Sequence, residues 1–354
     1  MLVGKEFVEY FDGKVRQVFV YLTSRCQLRC RQCLYKPLLS NESDDLDFDT
    51  LICLLGKFRE YGAFKLSFLG GEPTIYKDSI SGATFSDIVN ISKELGYSYI
   101  RVDTNGQFSP ALLLDSNVQK LDEITFSLDG YDEETHDAMR GKGVFSKCIS
   151  NIKSAVQLGY KVQITTCFHN VLCSDVDTGI ESILRIISLC DEIGVQSLNL
   201  HPILKVGAER DKWIGDTEIN PHLWLKIYYR MLDVLQKAHH KVNVRLPMRY
   251  VEESLQSKSH DYCPLKMGER ALVMPDNTIK VCAFNIGAPY CVARFSKTSI
   301  LYEKKYNELS ELDDSSICCN QTSPDDLSAL CMSYKPNQNE IVWSSIFTKK
   351  ESAG

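Results

Sequence analysis

The chain lacks any apolar run close to the roughly 18 residues that a membrane-spanning helix needs, so no such span is expected among its 354 residues. Its opening, MLVGKEFVEYFDGK, carries charges where a secretory signal requires an uninterrupted apolar core, and a cytoplasmic protein is expected. Excess positive charge is missing too: 40 Lys and Arg face 46 Asp and Glu, for a net charge of −6 and a pI near 5.7. That balance argues against a surface built to track phosphates, and neither a nucleic-acid nor a membrane partner is expected. Histidine is sparse, at seven residues, and shows no metal-ligand spacing. His239 and His240 close a helical pattern beside Lys241, where a solvated cation suits the helix dipole. His169 and His201 fall near strand ends and read either as cavity-facing or as satisfied polar groups. Repeats and low-complexity tracts are absent, and the final TKKESAG reads as a frayed terminus.

Cysteine, by contrast, is abundant. Fourteen Cys in a reducing compartment point to metal ligation ahead of disulfides. Cys26, Cys30 and Cys33 fall in the segment TSRCQLRCRQC at the end of an apolar run, and six more lie between positions 263 and 331. Cys53, Cys148, Cys167, Cys173 and Cys190 sit mostly on apparent helices or strand ends, as small core residues do. Three thiolates at CxxxCxxC spacing on a loop can ligate three corners of a cubic iron–sulfur cluster. With no fourth Cys nearby, the fourth iron keeps an open position, by the logic that separates catalytic from closed structural metal sites. A structural zinc is the alternative. It needs a fourth His or Cys close by, and the nearest downstream Cys, Cys53, lies on an apparent helix.

With 44% hydrophobic and 24% charged residues, the chain is ordinarily globular and long enough for one full domain plus a smaller appendage. Short β-rich runs, at Gln17–Leu22, Phe64–Leu69, Tyr99–Asp103, Glu123–Leu128, Lys161–Thr166 and Val195–Leu200, alternate with amphipathic patterns. The helical stretches are Asp49–Tyr61, Phe85–Leu95, Phe145–Leu158 and Gly179–Ile193, with a further helix near His222–His239. Such βα units imply a parallel sheet with right-handed crossovers and a site at the strands' C-terminal ends. The polar motifs agree: the Cys triad, Gly70-Gly71-Glu72-Pro73, Thr104-Asn105-Gly106 and Ser127-Leu128-Asp129-Gly130 each close or follow one of the first four strands. The rhythm fails beyond Tyr262, which places a domain boundary near residue 255.

On these residues the chain resembles the radical S-adenosylmethionine (SAM) superfamily, whose signature is CxxxCxxC. The resemblance implies a partial (β/α)6 TIM-like barrel over 1–255 and a [4Fe–4S] cluster on Cys26, Cys30 and Cys33 whose open iron chelates SAM. It also implies reductive cleavage of SAM to a 5′-deoxyadenosyl radical, with electrons from a flavodoxin- or ferredoxin-type donor. Gly70, Gly71 and Glu72, matching the family's GGEP, would bind the SAM amino group, the glycines admitting a ligand close to the backbone. Asn105, Ser127 and Asp129 match positions that meet the ribose and methionyl parts, and Arg140 matches one that can hold the carboxylate through a charge-assisted fork. Each has a plainer counterpart: strand-to-loop turns for the glycine motifs, a helix cap for Asp129 and a solvated surface cation for Arg140. One departure stands out. Many members carry an aromatic residue before the third Cys, against adenine, whereas this chain has Gln32, which leaves Leu34 and Tyr35 as candidates for that packing.

The run from Cys263 to Cys282, and then Cys291, resembles the opening of the SPASM/twitch extension, in which a Cys and a hairpin turn begin an auxiliary cluster site. Asn277 takes the turn glycine's place, and Asn tolerates the left-handed conformation better than most residues. The complete SPASM pattern does not follow. Cys318, Cys319 and Cys331 instead fit a shortened, twitch-like extension over 256–354 with one auxiliary [4Fe–4S] cluster. Cys263 and Cys282 are the firmest ligands, the rest coming from Cys291, Cys318, Cys319 and Cys331; zinc is the alternative occupant, and a spare thiol could instead donate a hydrogen atom. An auxiliary cluster suits oxidative modification of an unactivated C–H bond. Because only about 25 residues precede the triad, too few for a peptide-recognition domain, a small-metabolite substrate is expected. A peptide-modifying maturase and a non-enzymatic zinc scaffold are the alternatives.

Overall fold

The computed structural model describes residues 1–40, 45–203, 217–246, 268–280, 291–302 and 346–347. A short strand β1 (Leu2–Val3) and helix α1 (Lys5–Phe11) precede the alternating part of the chain. There β2 (Gln17–Tyr21), α2 (Phe48–Glu60), β3 (Lys65–Leu69), α3 (Phe85–Glu94), β4 (Tyr99–Thr104) and β5 (Glu123–Ser127) follow in order. Two helices, α4 (Glu133–Arg140) and α5 (Val144–Gln157), then precede β6 (Val162–Phe168), α6 (Val176–Ile193), β7 (Ser197–Pro202), α7 (Pro221–Lys237) and β8 (Asn243–Leu246). Strands β2 to β8 pair in sequence order, every neighbour parallel. The sheet is not closed on itself, so the architecture is a partial TIM-like barrel, as the alternation implies.

Past β8 the same sheet gains β9 (Arg270–Val273), β10 (Thr278–Lys280), β11 (Ala293–Phe295) and β12 (Ser299–Tyr302) on the β2 side. Strand β9 runs parallel to β2, and β10 to β12 continue as an antiparallel meander that ends on β1. On the other edge β13 (Ile346–Phe347) lies antiparallel to β8. The boundary expected near 255 falls outside the described residues.

Strand residues alternate between two environments. Val18, Val20, Leu66, Phe68, Ile100, Phe126, Ile164, Leu198 and Leu200 point to the helices and are buried, the main source of the fold's hydrophobic stabilisation. The opposite, concave face carries Gln17, Ser67, Arg101, Thr125, Gln163 and Asn199. Strands buried on both faces of a parallel sheet ordinarily read as continuous apolar runs. The alternation in YIRVDT and VQITTC instead marks a barrel with a polar interior. Its lower part is closed by its own side chains: Gln17 donates to Ser67 at 3.0 Å, Arg101 pairs with Asp103 at 2.9 Å, and Lys161 with Glu123 at 2.9 Å.

Three features escape pattern reading. Helix α1 is too short to display periodicity. Strand β8 supplies a seventh parallel strand that only a four-residue run marks. Helix α4, EETHDAMR, has no broad apolar stripe; a capping box between Asp132 and Thr135 starts it, satisfying N–H groups that a short helix would leave unpaired. Among the described residues, no helix is long and apolar enough to cross a membrane.

Candidate active site

The Cys loop leaves β2 and is stitched at once to the end of β3. Gly71 N–H donates to Thr23 O at 2.7 Å and Glu72 N–H to Arg25 O at 2.8 Å. A Cβ on Gly70 would stand 2.7 Å from Thr23 O, and one on Gly71 2.0 Å from Arg25 O and 3.1 Å from Cys26 Cβ. These glycines therefore admit the protein's own Cys loop, not a ligand in the first instance, against the backbone. Arg25 locks the loop from below, with Nε on Asp45 Oδ1 at 3.1 Å, Nη2 on Asp45 Oδ2, and Nη2 on Ile75 O at 3.0 Å. Beyond it the chain turns so that Cys33 N–H donates to Cys30 O at 3.3 Å.

Glu72 is almost wholly buried, 1% exposed. Its Oε1 accepts from Thr74 N–H (3.2 Å), Thr74 Oγ1 (2.6 Å) and Thr104 Oγ1 (2.7 Å), and its Oε2 from Asn105 N–H at 2.8 Å. It thus ties the end of β3 to the end of β4. Burial, its largest perturbation, raises its pKa against those donors. Asn105 in turn directs Nδ2 toward Cys26 Sγ at 3.6 Å, and Leu28 N–H reaches the same sulfur at 3.4 Å.

A second node is Asp129, fully buried after β5. Its Oδ2 accepts from Arg140 Nε at 2.6 Å and from the Gln32 amide, and its Oδ1 accepts from Cys167 N–H at 2.8 Å. Two buried histidines grip its peptide groups: His136 Nδ1 accepts from Asp129 N–H at 3.1 Å, and His169 Nε2 donates to Asp129 O at 2.8 Å. The first places the proton of neutral His136 on Nε2. Gly130 lets α4 approach this closely, since a Cβ there would lie 2.3 Å from Thr135 Oγ1. Arg140, the last residue of α4, extends Nη1 to within 3.9 Å of Cys30 Sγ.

Sequence reading singled out Asp129 and Arg140, with a helix cap and a solvated surface cation as their plainer roles; the two instead form one buried pair, at 0% and 9% side-chain exposure respectively. The alternative roles of surface Arg and helix cap fall away, the cap of α4 being Asp132. His136 was missed, because nothing in THD distinguishes it from a solvated helix residue. Buried His169 is tied through Nε2 to Asp129 O, its Nδ1 having no hydrogen-bond partner among the described residues, whereas His201 is half-buried on the concave face, in register with Cys167. Ser127 ends β5, half-buried on the concave face. Of the two residues after Cys33, Tyr35 is buried and stacked on Tyr21, leaving Leu34 as the exposed one. Gln32, in the family's aromatic position, keeps Oε1 buried with no hydrogen-bond partner among the described residues.

The three thiols sense one another. Burial pushes Cys26 up to about 11 and Cys33 to about 12, and repulsion from a neighbouring triad sulfur adds to each. Burial also raises Cys30, while Arg140 opposes it. A metal site must therefore displace protons from these sulfurs, and the donors around Cys26 and Cys30 suit the resulting thiolates. Among the described residues, no group of three or more His, Cys, Asp or Glu is placed to hold a single metal ion. A cubic cluster makes a different demand, since each cysteine binds a separate iron, and three coupled thiols with N–H donors fit it. Of the later cysteines, Cys291 is buried just before β11, beside buried Lys280, whose pKa burial lowers. Cys263, Cys282, Cys318, Cys319 and Cys331 lie outside the described residues. Asn277 adopts φ 61° in the turn between β9 and β10, the left-handed conformation expected of it.

Residues 20–187 match the model of the Radical SAM superfamily, a span that holds the triad, the Glu72 node and the Asp129–Arg140 pair. This span is a radical SAM domain. Domains of this family use a [4Fe–4S] cluster and SAM. A protein of Psychromonas ingrahamii named GTP 3′,8-cyclase is 28% identical over 168 residues, 45% of this chain and 46% of its own length. The chain thus spans about half the length of such relatives. Among solved structures, Streptococcus suis SuiB bound to SAM aligns at a TM-score of 0.64 and 16% identity, over 92% of this chain and 80% of that one. SuiB bound to its precursor peptide SuiA aligns at 0.60 and 15%, over 90% and 76%. At these identities the likeness is one of fold.

Proposed function

We propose that the chain is a radical SAM enzyme that oxidatively modifies an unactivated C–H bond of a small, polar metabolite. The observation that carries this is the Cys26–Cys30–Cys33 loop at the mouth of a barrel with a polar concave face, with Asn105 Nδ2 directed at Cys26 Sγ and Arg140 Nη1 at Cys30 Sγ. In that reading the three cysteines hold the [4Fe–4S] cluster, which, with SAM, supplies a 5′-deoxyadenosyl radical able to abstract hydrogen from carbon. The chain's own part is to hold SAM through Gly70, Gly71, Glu72, Asn105, Ser127, Asp129 and Arg140, and to present the substrate C–H bond. Glu72 and Asp129 act by fixing the strand ends, since their carboxylates are already engaged. Residues 256–354 would carry an auxiliary cluster on Cys263 and Cys282, completed from Cys291, Cys318, Cys319 and Cys331.

The small-molecule preference draws on the half-buried Ser127, Thr165, Asn199 and His201, hydrogen-bonding groups on the concave face near the triad. A relative named for a nucleotide points the same way. The peptide alternative draws on the fold shared with SuiB, which was solved with a peptide bound. Anaerobically prepared protein, reduced in the presence of SAM, should release 5′-deoxyadenosine. It should contain about eight iron and eight sulfide if both clusters are cubane. Cys30→Ala should abolish 5′-deoxyadenosine release; unchanged release would remove the triad from the chemistry, and a colourless zinc protein would favour the scaffold.

A further inference from the structure

The guanidinium of Arg140 is committed in two directions: Nε to Asp129 Oδ2 at 2.6 Å, and Nη1 to Cys30 Sγ at 3.9 Å. Its aim is set by a carboxylate that cannot turn. Asp129 is held through Oδ1 by Cys167 N–H of β6, through Oδ2 by Gln32 of the Cys loop, and through its peptide groups by His136 of α4 and His169. Four anchors from three parts of the chain, the Cys loop, α4 and the end of β6, thus converge on the residue that orients Arg140. So elaborate a support would be superfluous for a cation that merely balances Asp129. Gln32 joins the same network from beside Cys33, the nearest triad sulfur in sequence.

We propose that Arg140 is a positioning residue of the cluster itself: it donates an N–H···S hydrogen bond to the Cys30 thiolate and thereby raises the reduction potential of the cluster bound there. This rests on the triad holding a [4Fe–4S] cluster and departs from the function proposed above at one residue, since there Arg140 is counted among the groups that hold SAM. The physical basis is charge. One-electron reduction puts negative charge on the cluster and its sulfurs, and a fixed cationic donor stabilises the reduced state more than the oxidised one. Bidentate aim matters, so lysine, a point charge on a flexible stem, cannot serve both Asp129 and Cys30 as arginine does.

The test is a potentiometric EPR titration of the SAM-free cluster in wild type and in Arg140→Lys, with SAM affinity measured on the same samples. A midpoint potential moved to more negative values in the variant is expected. An unchanged potential with weakened SAM binding would overturn the proposal and return Arg140 to the carboxylate. Because a buried pair is altered, a second measurement uses the wild-type chain. With ¹⁵N-arginine incorporated, pulsed EPR of the reduced, SAM-free cluster should show a nitrogen coupling that changes with the isotope and vanishes in Arg140→Lys. No arginine nitrogen coupling would overturn the proposal even if the variant failed to fold. Iron and sulfide analysis separates the two levels: wild type without a cluster defeats the radical SAM reading and this inference together, whereas a normal cluster lacking the coupling defeats the inference alone.

Discussion

Gly71 lies against the Arg25 peptide so closely that a Cβ on it would stand 2.0 Å from the Arg25 carbonyl oxygen. The obstacle is backbone and cannot swing aside, so Gly71→Ala must push the Cys loop away from the end of β3. A loss of about 2–3 kcal/mol is expected from overpacking of this kind, read as a lowered urea midpoint, together with reduced iron uptake. Gly56→Ala is the control. It sits inside α2 with nothing within 4 Å of the added Cβ, and should stabilise by about 0.5–1 kcal/mol through helix propensity.

Glu72→Gln should be damaging although it preserves shape. Oε1 accepts three hydrogen bonds and Oε2 one, from Asn105 N–H. An amide can replace only one of these oxygens as an acceptor, so its NH₂ must face at least one donor. Leaving such a donor unsatisfied in a buried site costs about 1–3 kcal/mol. The expected outcome is a lower unfolding midpoint at pH 7 and weaker SAM binding. A variant with wild-type stability would show that Glu72 does not bind β3 to β4.

The alternation of β-rich runs and amphipathic stretches made the barrel legible, because a parallel sheet needs a helix between its strands and burial imposes a period on each. The places where chemistry collects were legible too, since Gly, Asn and Asp cluster where strands end. What could not be read were relations between distant positions. Nothing in GGEP says that the Cys loop fills the space its glycines leave, and nothing in THDAMR says that His136 and Arg140 share Asp129. Such contacts depend on the rotation of α4 about its axis, which a helix of eight residues with little apolar stripe does not encode.

Asn277 is a case where local chemistry was sufficient. Among the described residues, it is the non-glycine residue with positive φ, at 61°, and it joins antiparallel β9 and β10. Asn277→Ala should destabilise by about 1–2 kcal/mol, the penalty of a Cβ in left-handed conformation without a compensating short polar side chain. Asn277→Gly should be close to neutral. Equal midpoints for the alanine and glycine variants would contradict the turn geometry.

The histidines that grip Asp129 predict a distinct response to acid. Burial, the largest influence, lowers His136 from 6.5 to about 4, and lowers His169 in the same direction. Above pH 6.5 His136 is neutral folded or unfolded, and its contribution is fully present. Between 6.5 and about 4 the unfolded chain takes up the proton and the folded chain refuses it, so stability falls with each unit of pH. From His136 alone the loss is roughly 3 kcal/mol, saturating below pH 4. Other groups separate from it. Asp78 and Asp115 have lowered values and lose their contributions below the usual carboxylate range. Buried Glu72 and half-buried Asp103 are raised, desolvation being the largest cause in each, and act with the opposite sign. The comparison is therefore wild type against His136→Gln, whose side-chain oxygen can still accept from Asp129 N–H. The variant's urea midpoint should fall less between pH 7 and pH 5, and parallel profiles for the two proteins would place the His136 proton uptake outside that window.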